Sequence, residues 1–341
     1  MANRRCIYTG NEIDSSDPML SESIEHIIPL SLGGSNKFVT CDVSRGANNR
    51  AGNEIDDAVT SLISVAMLRN KFKLAGHRGK IPNVRFDGFL SDIDAHPEAS
   101  MIVDSDASVK FEIKGSQTQS QQTVQISGTE GWVEKMLTHK LRQAKHHGNY
   151  LSTPFGDIRS EGDIRASVNL APRESSSEFK FDLVVDLRAH QRALQHFVVK
   201  VALCIGHLIL GPEWTFGPDG IMLRDALFPR GGEFFSKVRG TLYAEVEGPI
   251  KGMLDLAANR HSIAMFRFGN TAVVYIAMFG GDLGVAAVCL SGSAKRYRKG
   301  RDRVEPEGHL FQLSDLGSGT PLFVKRSLGE MMRTAYPFFH I

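Results

Sequence analysis

The pattern of apolar and polar residues in the first part of the chain changes from short extended segments to a helical repeat. Residues 23–29 are predicted to end a strand, 33–36 to form a glycine-containing turn, and 37–41 to form a second short strand. Five apolar residues then fall at helical spacing: Ile55, Ala58, Val59, Leu62 and Ala66. We therefore predict a helix from about residue 49 to between residues 68 and 73.

The middle of the chain alternates short strand patterns with polar stretches. We predict strands at 101–103, 109–113 and 123–126, with the polar tract 115–123 as a long hairpin loop. A helix with several basic residues is expected over 130–147. The serine-rich loop 174–178 is predicted to mark a boundary.

The last part of the chain has the apolar content of a separate core. A strand is predicted at 179–185, a strongly apolar helix at 189–210, and paired strands at 271–279 and 283–290. The predicted class is α+β, with domains at residues 1–72, 73–175 and 176–341. We expect a ββα finger at the N-terminus, followed by a mixed α/β C-terminal region.

Composition fits an ordinary globular protein, with 42% hydrophobic and 23% charged residues. The formal net charge of +2 does not identify a nucleic-acid-binding protein, so any such binding must come from local basic patches. No apolar run reaches the length of a membrane span, and no signal peptide is expected. Cytoplasmic location fits best, because the cysteines are few and far apart: Cys6, Cys41, Cys204 and Cys289.

Residues suited to phosphodiester hydrolysis come in three segments, which contain Glu25 and His26, then Asn36, and then Asn49. A histidine suits the role of general base, because its unperturbed pKa is about 6.5. A strand carboxylate and an amide from the following helix would together hold one divalent ion, and hard oxygen ligands favour Mg²⁺ or Mn²⁺. A central asparagine would orient the imidazole by hydrogen bonding.

These segments resemble the HNH endonuclease family. Glu25-His26-Ile27-Ile28-Pro29 is similar to the family's segment of an acidic residue followed by H-I-x-P, and Asn49-Arg50 is similar to its N-R at the helix start. The span 25–56 also resembles bacterial stand-alone HNH proteins, which carry a double glycine and C-N-N-x-x-G. The match covers about a fifth of the chain.

The resemblance implies a ββα-metal finger with roles for particular residues. Glu25 and Asn49 would be metal ligands, His26 the general base, and Asn36 its orienting partner. Further neighbours in the same stretch are Asn48, Asn53, Glu54 and Asp56. Many HNH proteins of this type also carry a structural zinc held by two CxxC pairs. Only Cys6 and Cys41 remain here, so we expect no structural zinc, which usually needs four ligands.

Basic residues are the candidate contacts to nucleic acid. Arg50 follows the predicted metal ligand, and the run 295–303 has six basic residues and one acidic residue. Within this run the candidate phosphate contacts are Lys295, Arg296, Arg298 and Lys299, with Tyr297 available for stacking. The alternative for the run is a solvated loop, and the two interpretations stay open.

Three functions are compatible with the sequence. The first is a metal-dependent endonuclease acting on double-stranded DNA, which by the resemblance would serve in restriction or anti-phage defence. The second is a non-catalytic nucleic-acid-binding protein that uses an inactive finger as a docking fold. The third is a nuclease gated by a small signalling molecule, which no phosphate-loop pattern supports. The apolar segments 197–210 and 273–290 serve either a core or a homo-oligomer interface.

Overall fold

The computed structural model describes most of the chain and confirms the α+β class. The described residues are 4–76, 79–90, 98–106, 108–113, 117–119, 124–126, 130–146, 151–153, 156–170, 181–183, 186–228, 238–246, 248–254, 256–293, 307–318, 320–327 and 330. Contacts divide the chain into two units. The first joins Met1–Pro82 to Asp186–Ile341, and the second is Asn83–Val185.

The N-terminal part of the first unit is an antiparallel hairpin followed by helix. Strands β1 (Glu22–His26) and β2 (Val39–Ser44) pair with a bulge between Ser23 and Glu25. Helix α1 (Arg45–Ala51) continues without a break through a π-helical turn at Gly52–Asp56. Two further helices complete it: α2 (Asp57–Thr60) and α3 (Ile63–Lys71). We call residues 22–60 the hairpin–helix segment.

The segment contains a strand, a turn, a second strand and a helix in that order, with boundaries that differ from the predicted ones. The second strand starts two residues later than predicted, and the helix starts earlier, at Arg45. The apolar repeat predicts one continuous helix to about residue 70, yet Leu62 is extended, with ψ 135°, and separates α2 from α3. Apolar spacing alone does not register such a local break, because residues of the repeat in both helices, such as Val59 and Ala66, are still buried.

The second unit contains antiparallel sheets and two helices. Four strands form the sheet β10-β3-β4-β5, and two separate hairpins are β6-β7 and β8-β9. The elements are β3 (Val84–Leu90), β4 (Glu98–Val103), β5 (Val109–Ile113), β6 (Gln117–Gln119), β7 (Val124–Ile126), α4 (Glu130–His146), β8 (Leu151–Thr153), β9 (Gly156–Ile158), α5 (Glu161–Leu170) and β10 (Phe181–Leu183). Helices α4 and α5 share a small apolar core that includes Leu141, Ile158 and Ile164.

Most predictions for this unit are confirmed, including the strand at 109–113, the strand predicted at 123–126, which spans Val124–Ile126, and the helix α4. Strand β6 lies inside the polar tract that was predicted to be a loop. Glutamine and threonine there complete the hairpin with β7 through backbone bonds, which do not require an apolar pattern. The predicted boundary loop 174–178 lies outside the described residues.

The C-terminal part of the first unit packs helices against a six-stranded antiparallel sheet of order β11-β14-β13-β12-β15-β16. Its elements are α6 (Leu187–Leu210), α7 (Pro212–Thr215), α8 (Pro218–Leu227), β11 (Gly240–Thr241), α9 (Gly248–Leu254), β12 (His261–Phe268), β13 (Thr271–Ala277), β14 (Val285–Ser291), β15 (Glu307–Ser314) and β16 (Leu322–Ser327). The predicted pairing of the strands on either side of Gly280 and Gly281 is confirmed.

Helix α6 is the central element of this unit. Asp186 caps its N-terminus by accepting bonds from the backbone N–H groups of Arg188 and Ala189 at 2.9 and 3.0 Å. Gly211, with φ 81°, ends it. Among the described residues α6 is the one helix long and apolar enough to cross a membrane, but 72% of its apolar window is buried inside the protein, as in the core helix of a soluble protein.

One apolar core joins the two ends of the chain. It contains Ile27 and Val43 of the hairpin, Phe197 and Ile205 of α6, and Val274 of the sheet. The structure therefore groups residues 1–82 with the C-terminal region, where the sequence suggested three consecutive domains. Hydrophobic periodicity identifies which residues are buried, but it does not identify the partner against which they are buried.

Close packing in this core makes Gly206 of α6 intolerant of a side chain. A Cβ atom at this position would lie 2.2 Å from the ring of Trp214, whose Nε1–H donates to the Leu290 carbonyl at 2.9 Å. We predict that Gly206→Ala lowers the free energy of unfolding by about 1–3 kcal/mol. Denaturant unfolding followed by Trp214 fluorescence, in a Trp132→Phe background, would measure it.

The matched control is Gly252→Ala in α9, where a Cβ atom would meet nothing within 4 Å. Alanine is favoured over glycine in both helices, so the difference between the two variants isolates the clash. Equal stability changes in the two variants would contradict the packing argument.

Candidate functional site

The structure brings His26 and Asn36 together. His26 ends β1 and is half-buried, and its Nε2 atom lies 2.8 Å from Oδ1 of Asn36. The chain returns between them through a 3₁₀ turn at Leu30–Leu32. With the amide oxygen as acceptor, Nε2–H is the donor, and Nδ1 then carries the lone pair. The structure thus brings together the two side chains that the resemblance pairs, and their roles as base and orienting amide stay predictions.

The double glycine between these residues is required by the tight return of the chain. Gly33 has φ +85°, a conformation that glycine adopts at no steric cost. A Cβ atom on Gly34 would lie 1.8 Å from the Ile28 carbonyl oxygen. Gly34 N–H also donates to the Pro29 carbonyl at 3.0 Å, so backbone hydrogen bonds help to close the loop.

A buried histidine of the six-stranded sheet is hydrogen-bonded to this loop. His261 at the start of β12 contacts the Leu32 carbonyl through Nε2 at 2.6 Å, and its Nδ1 accepts the Phe279 N–H at 3.0 Å. Since Nδ1 accepts, Nε2 carries the proton and donates to Leu32. Burial lowers the pKa of His261 to about 4, and its neutral form holds the loop to the sheet.

Glu25, the predicted metal ligand, points into the core. The strand alternates sides, so Glu25 lies opposite His26 and is buried, with a relative exposure of 2%. Its Oε1 atom forms an ion pair with Lys200 Nζ at 2.6 Å and accepts a hydrogen bond from the Tyr8 hydroxyl at 3.0 Å. The structure therefore makes Glu25 the partner of a buried lysine, because the inward face of β1 meets α6.

Lys200 connects this carboxylate to a second one. Its Nζ atom lies 2.8 and 2.7 Å from the two carboxylate oxygens of Asp56, and the side chain has no exposed surface. Burial alone would lower the pKa of Lys200, but Glu25 and Asp56 outweigh it and keep that pKa above its ordinary value. Burial raises the pKa of Asp56 to about 6, against the opposing effect of Lys200. We call Lys200, Glu25 and Asp56 the buried ion cluster.

The side chains of Tyr8 and Cys204 lie beside this cluster. The Tyr8 hydroxyl lies 3.3 Å from Cys204 Sγ, one helical turn beyond Lys200 in α6. Burial is the main cause that raises the pKa of Cys204 to about 12, followed by the negative charge of Glu25. Burial likewise raises the pKa of Tyr8, so both groups stay neutral beside the ion cluster.

Of the two adjacent asparagines, Asn48 links helix α1 to strand β1 through side-chain hydrogen bonds. Its Nδ2 donates to Ser23 Oγ at 2.8 Å and to the Ile24 carbonyl at 2.9 Å. Asn49, the predicted metal ligand, is exposed on α1. Arg50 pairs with Glu54 at 2.8 Å and stacks on Phe228, with its guanidinium carbon 4.1 Å from the ring centroid.

The predicted ligand pair does not fit a divalent ion in this structure. Glu25 is buried and paired with Lys200, whereas Asn49 is on the exposed surface of α1. In the described part of the chain, no group of three His, Cys, Asp or Glu side chains is arranged to hold a metal. We therefore assign no metal ligands.

The two cysteines that resemble remnants of zinc ligands have other surroundings. Cys6 is buried, and its Sγ accepts the Ser44 N–H at 3.3 Å. Cys41 is half-buried, and burial followed by the nearby Glu22 raises its pKa. The absence of structural zinc stays a prediction.

Four candidate contacts lie outside the described residues: Lys295, Arg296, Arg298 and Lys299. Two supporting residues, Lys200 and His261, were not singled out from the sequence. Lys200 had a detectable signal, because it is a lone charge between apolar residues 197–199 and 201–205 of a predicted core helix. A lone histidine at the start of a strand gives no comparable signal.

Comparison with known proteins adds no relative: no family model, no curated protein and no solved structure matches the chain. The functional argument therefore depends on the residues and their geometry.

The lowered pKa of buried His261 predicts how the free energy of unfolding changes with pH. The folded pKa of about 4 is below the ordinary 6.5, so between these values the unfolded chain binds a proton that the folded chain does not. This contribution to stability is fully present above pH 6.5 and is lost as the pH falls towards 4. Asp56 contributes the opposite slope below its raised pKa of about 6.

We predict that His261→Gln removes the His261 part of this slope, which amounts to up to about 1.4 kcal/mol per pH unit. Urea unfolding of both proteins between pH 4 and 7 would measure it, and the wild-type minus variant difference cancels the Asp56 contribution. Parallel stability curves for the two proteins would show that His261 does not titrate in this way.

Proposed function

We propose that the protein is an endonuclease of the HNH type that hydrolyses phosphodiester bonds of double-stranded DNA. The observation that carries the proposal is the 2.8 Å contact between His26 Nε2 and Asn36 Oδ1 on the half-buried end of β1. It is the arrangement that an imidazole base and its orienting amide require, and it occurs within the segment that resembles the HNH family.

The proposed reaction follows from the state of the imidazole. With Nε2–H donated to Asn36, the Nδ1 lone pair of His26 takes a proton from a water molecule. The resulting hydroxide attacks the phosphorus, the bond from phosphorus to the leaving sugar oxygen breaks with its electron pair on that oxygen, and the oxygen then takes a proton from solvent water. The neutral imidazole of His261 donates a hydrogen bond to the Leu32 carbonyl and so keeps the loop that carries Asn36 in place during this step.

The resemblance also implies a divalent ion, Mg²⁺ or Mn²⁺. The proposal includes this ion but assigns no residue as its ligand. When bound, such an ion would stabilise the charge that develops on the phosphate. The buried ion cluster prevents the use of Glu25 for this purpose in the structure.

A second candidate function is a non-catalytic nucleic-acid-binding protein. The observation that favours it is the pairing of Glu25 with Lys200, because a carboxylate neutralised in the core contributes nothing to a catalytic centre at the surface. Such a protein would keep the hairpin–helix segment only as a docking fold. A role in restriction or anti-phage defence in the cytoplasm belongs to the first candidate and rests on the family resemblance.

We predict that His26→Ala lowers the rate of plasmid cleavage by about 10²–10⁴-fold, since this is the usual contribution of a general base. Cleavage with Mg²⁺, compared with EDTA, measures both the activity and its cation requirement. Asn36→Ala should slow cleavage less, because it leaves the base in place but unoriented.

His139→Ala is the control, because it removes an exposed histidine, on α4, that has no role in the proposed reaction, and it should cleave like the wild type. Full activity in His26→Ala would reject the assigned base. Duplex binding by a wild-type protein that never cleaves would favour the second candidate.

The basic run 295–303 yields a prediction about substrate binding. Contacts to the phosphate backbone fix position and carry no sequence information, so replacing Arg296, Arg298 and Lys299 with alanine should weaken binding about equally on all duplexes. The slope of log affinity against log salt should fall by roughly 0.9 for each phosphate that the variant no longer neutralises. Fluorescence anisotropy at several salt concentrations measures it, and an unchanged slope would leave the run as a solvated loop.

A further inference from the structure

We propose that the Lys200 ammonium takes the place of a divalent cation between Glu25 and Asp56, so that the hairpin–helix segment carries its own internal cation. The inference uses the proposed HNH relationship to identify the site. Its test measures cation binding and not cleavage, so it can fail or succeed independently of the proposed function.

The first argument is the position of the ammonium group. A divalent ion in a segment of this kind would be held by a strand carboxylate and a side chain from the following helix. The resemblance assigns these positions to Glu25 and Asn49, but Asn49 is exposed, and the helical segment contributes Asp56 instead. Glu25 and Asp56 contact the same atom, Lys200 Nζ, at 2.6–2.8 Å. Lys200 comes from α6, which follows much later in the chain.

The second argument is that the ammonium group has as many nearby carboxylate oxygens as it has N–H donors. It has three N–H donors, and three carboxylate oxygens lie within hydrogen-bond distance: two from Asp56 and one from Glu25. Tyr8 donates to the same Glu25 oxygen and closes that side. Neither Lys200 nor Glu25 has meaningful exposure to solvent.

The third argument concerns charge. Two carboxylates and one ammonium leave at most one negative charge in the buried ion cluster. A divalent ion beside Lys200 would place three positive charges against two negative ones in the core, where unbalanced charge is most costly. A divalent ion and the ammonium therefore exclude each other at Glu25, and removal of the ammonium leaves two facing carboxylates that suit a hard cation.

The test is the thermal stability of Lys200→Ala as a function of Mn²⁺. Alanine leaves space for a hydrated ion between Glu25 and Asp56. We expect the variant to melt below the wild type without metal, and its melting temperature to rise by roughly 5–10 °C at about a hundredfold excess of Mn²⁺ over Kd. The wild type should show no such rise.

Two controls make the result specific. Lys200→Met fills the space with an uncharged chain of similar length and should show no rise with Mn²⁺. The double variant Lys200→Ala, Asp56→Ala keeps the space but removes one ligand and should lose the rise. A folded Lys200→Ala protein that is indifferent to Mn²⁺, or a wild type that gains as much stability as Lys200→Ala, would overturn the proposal.

A measurement on the wild type decides the case if Lys200→Ala does not fold. The buried ammonium should give a slowly exchanging lysine ¹⁵N signal in NMR, absent from Lys200→Met. We expect that signal to persist unchanged in millimolar Mg²⁺. Its loss on addition of Mg²⁺, prevented by Glu25→Gln, would show that metal displaces Lys200 and would refute the proposal.

Discussion

The buried ammonium of Lys200 holds together three parts of the chain that are distant in sequence. It joins β1 through Glu25, the helical segment after β2 through Asp56, and the central helix α6 on which it lies. Taking charges out of water is costly, and only close contacts to opposite charges offset it. Once the ion cluster exists, loss of one partner leaves an uncompensated charge in the core, at a cost of about 3–5 kcal/mol. The arrangement of the three elements is therefore constrained by charge as well as by apolar packing.

This constraint also positions the candidate catalytic pair. Neighbouring residues of a strand point to opposite sides, so the inward placement of Glu25 requires the outward placement of His26. A shift of β1 by one residue would bury the imidazole and expose the carboxylate. Asn48 of the helix bonds to the strand beside them, and His261 of the sheet holds the loop. Both residues therefore stabilise the placement of Glu25 and His26. The contact between His26 and Asn36 thus depends on residues that never approach a substrate in the proposed reaction.

Local structure was largely predictable from the sequence, and long-range partners were not. The strand before Pro29, the glycine turn, helix α6 and the hairpin of β13 and β14 all follow from spacing and turn residues within a short window. The contact of Asn36 with His26 followed from a motif that spans few residues. By contrast, the partner of Asp56 lies 144 positions away and that of Leu32 lies 229 positions away. No periodicity encodes such pairs, so no sequence pattern identified the lysine that pairs with Glu25, and the resemblance implied a metal ion there instead.

The order of the elements along the chain has a consequence for biosynthesis. The hairpin–helix segment leaves the ribosome early, but Lys200 follows only after the whole of Asn83–Val185 has been made. At about 5–20 residues per second, the roughly 140 residues between the segment and Lys200 take about 7–28 seconds to make, during which Glu25 and Asp56 lack their ammonium partner. In that interval water, not protein, solvates Glu25 and Asp56, so the N-terminal segment reaches its final form only when α6 docks. Translation speed through the intervening unit thus sets how long an incomplete core is exposed to chaperones and proteases.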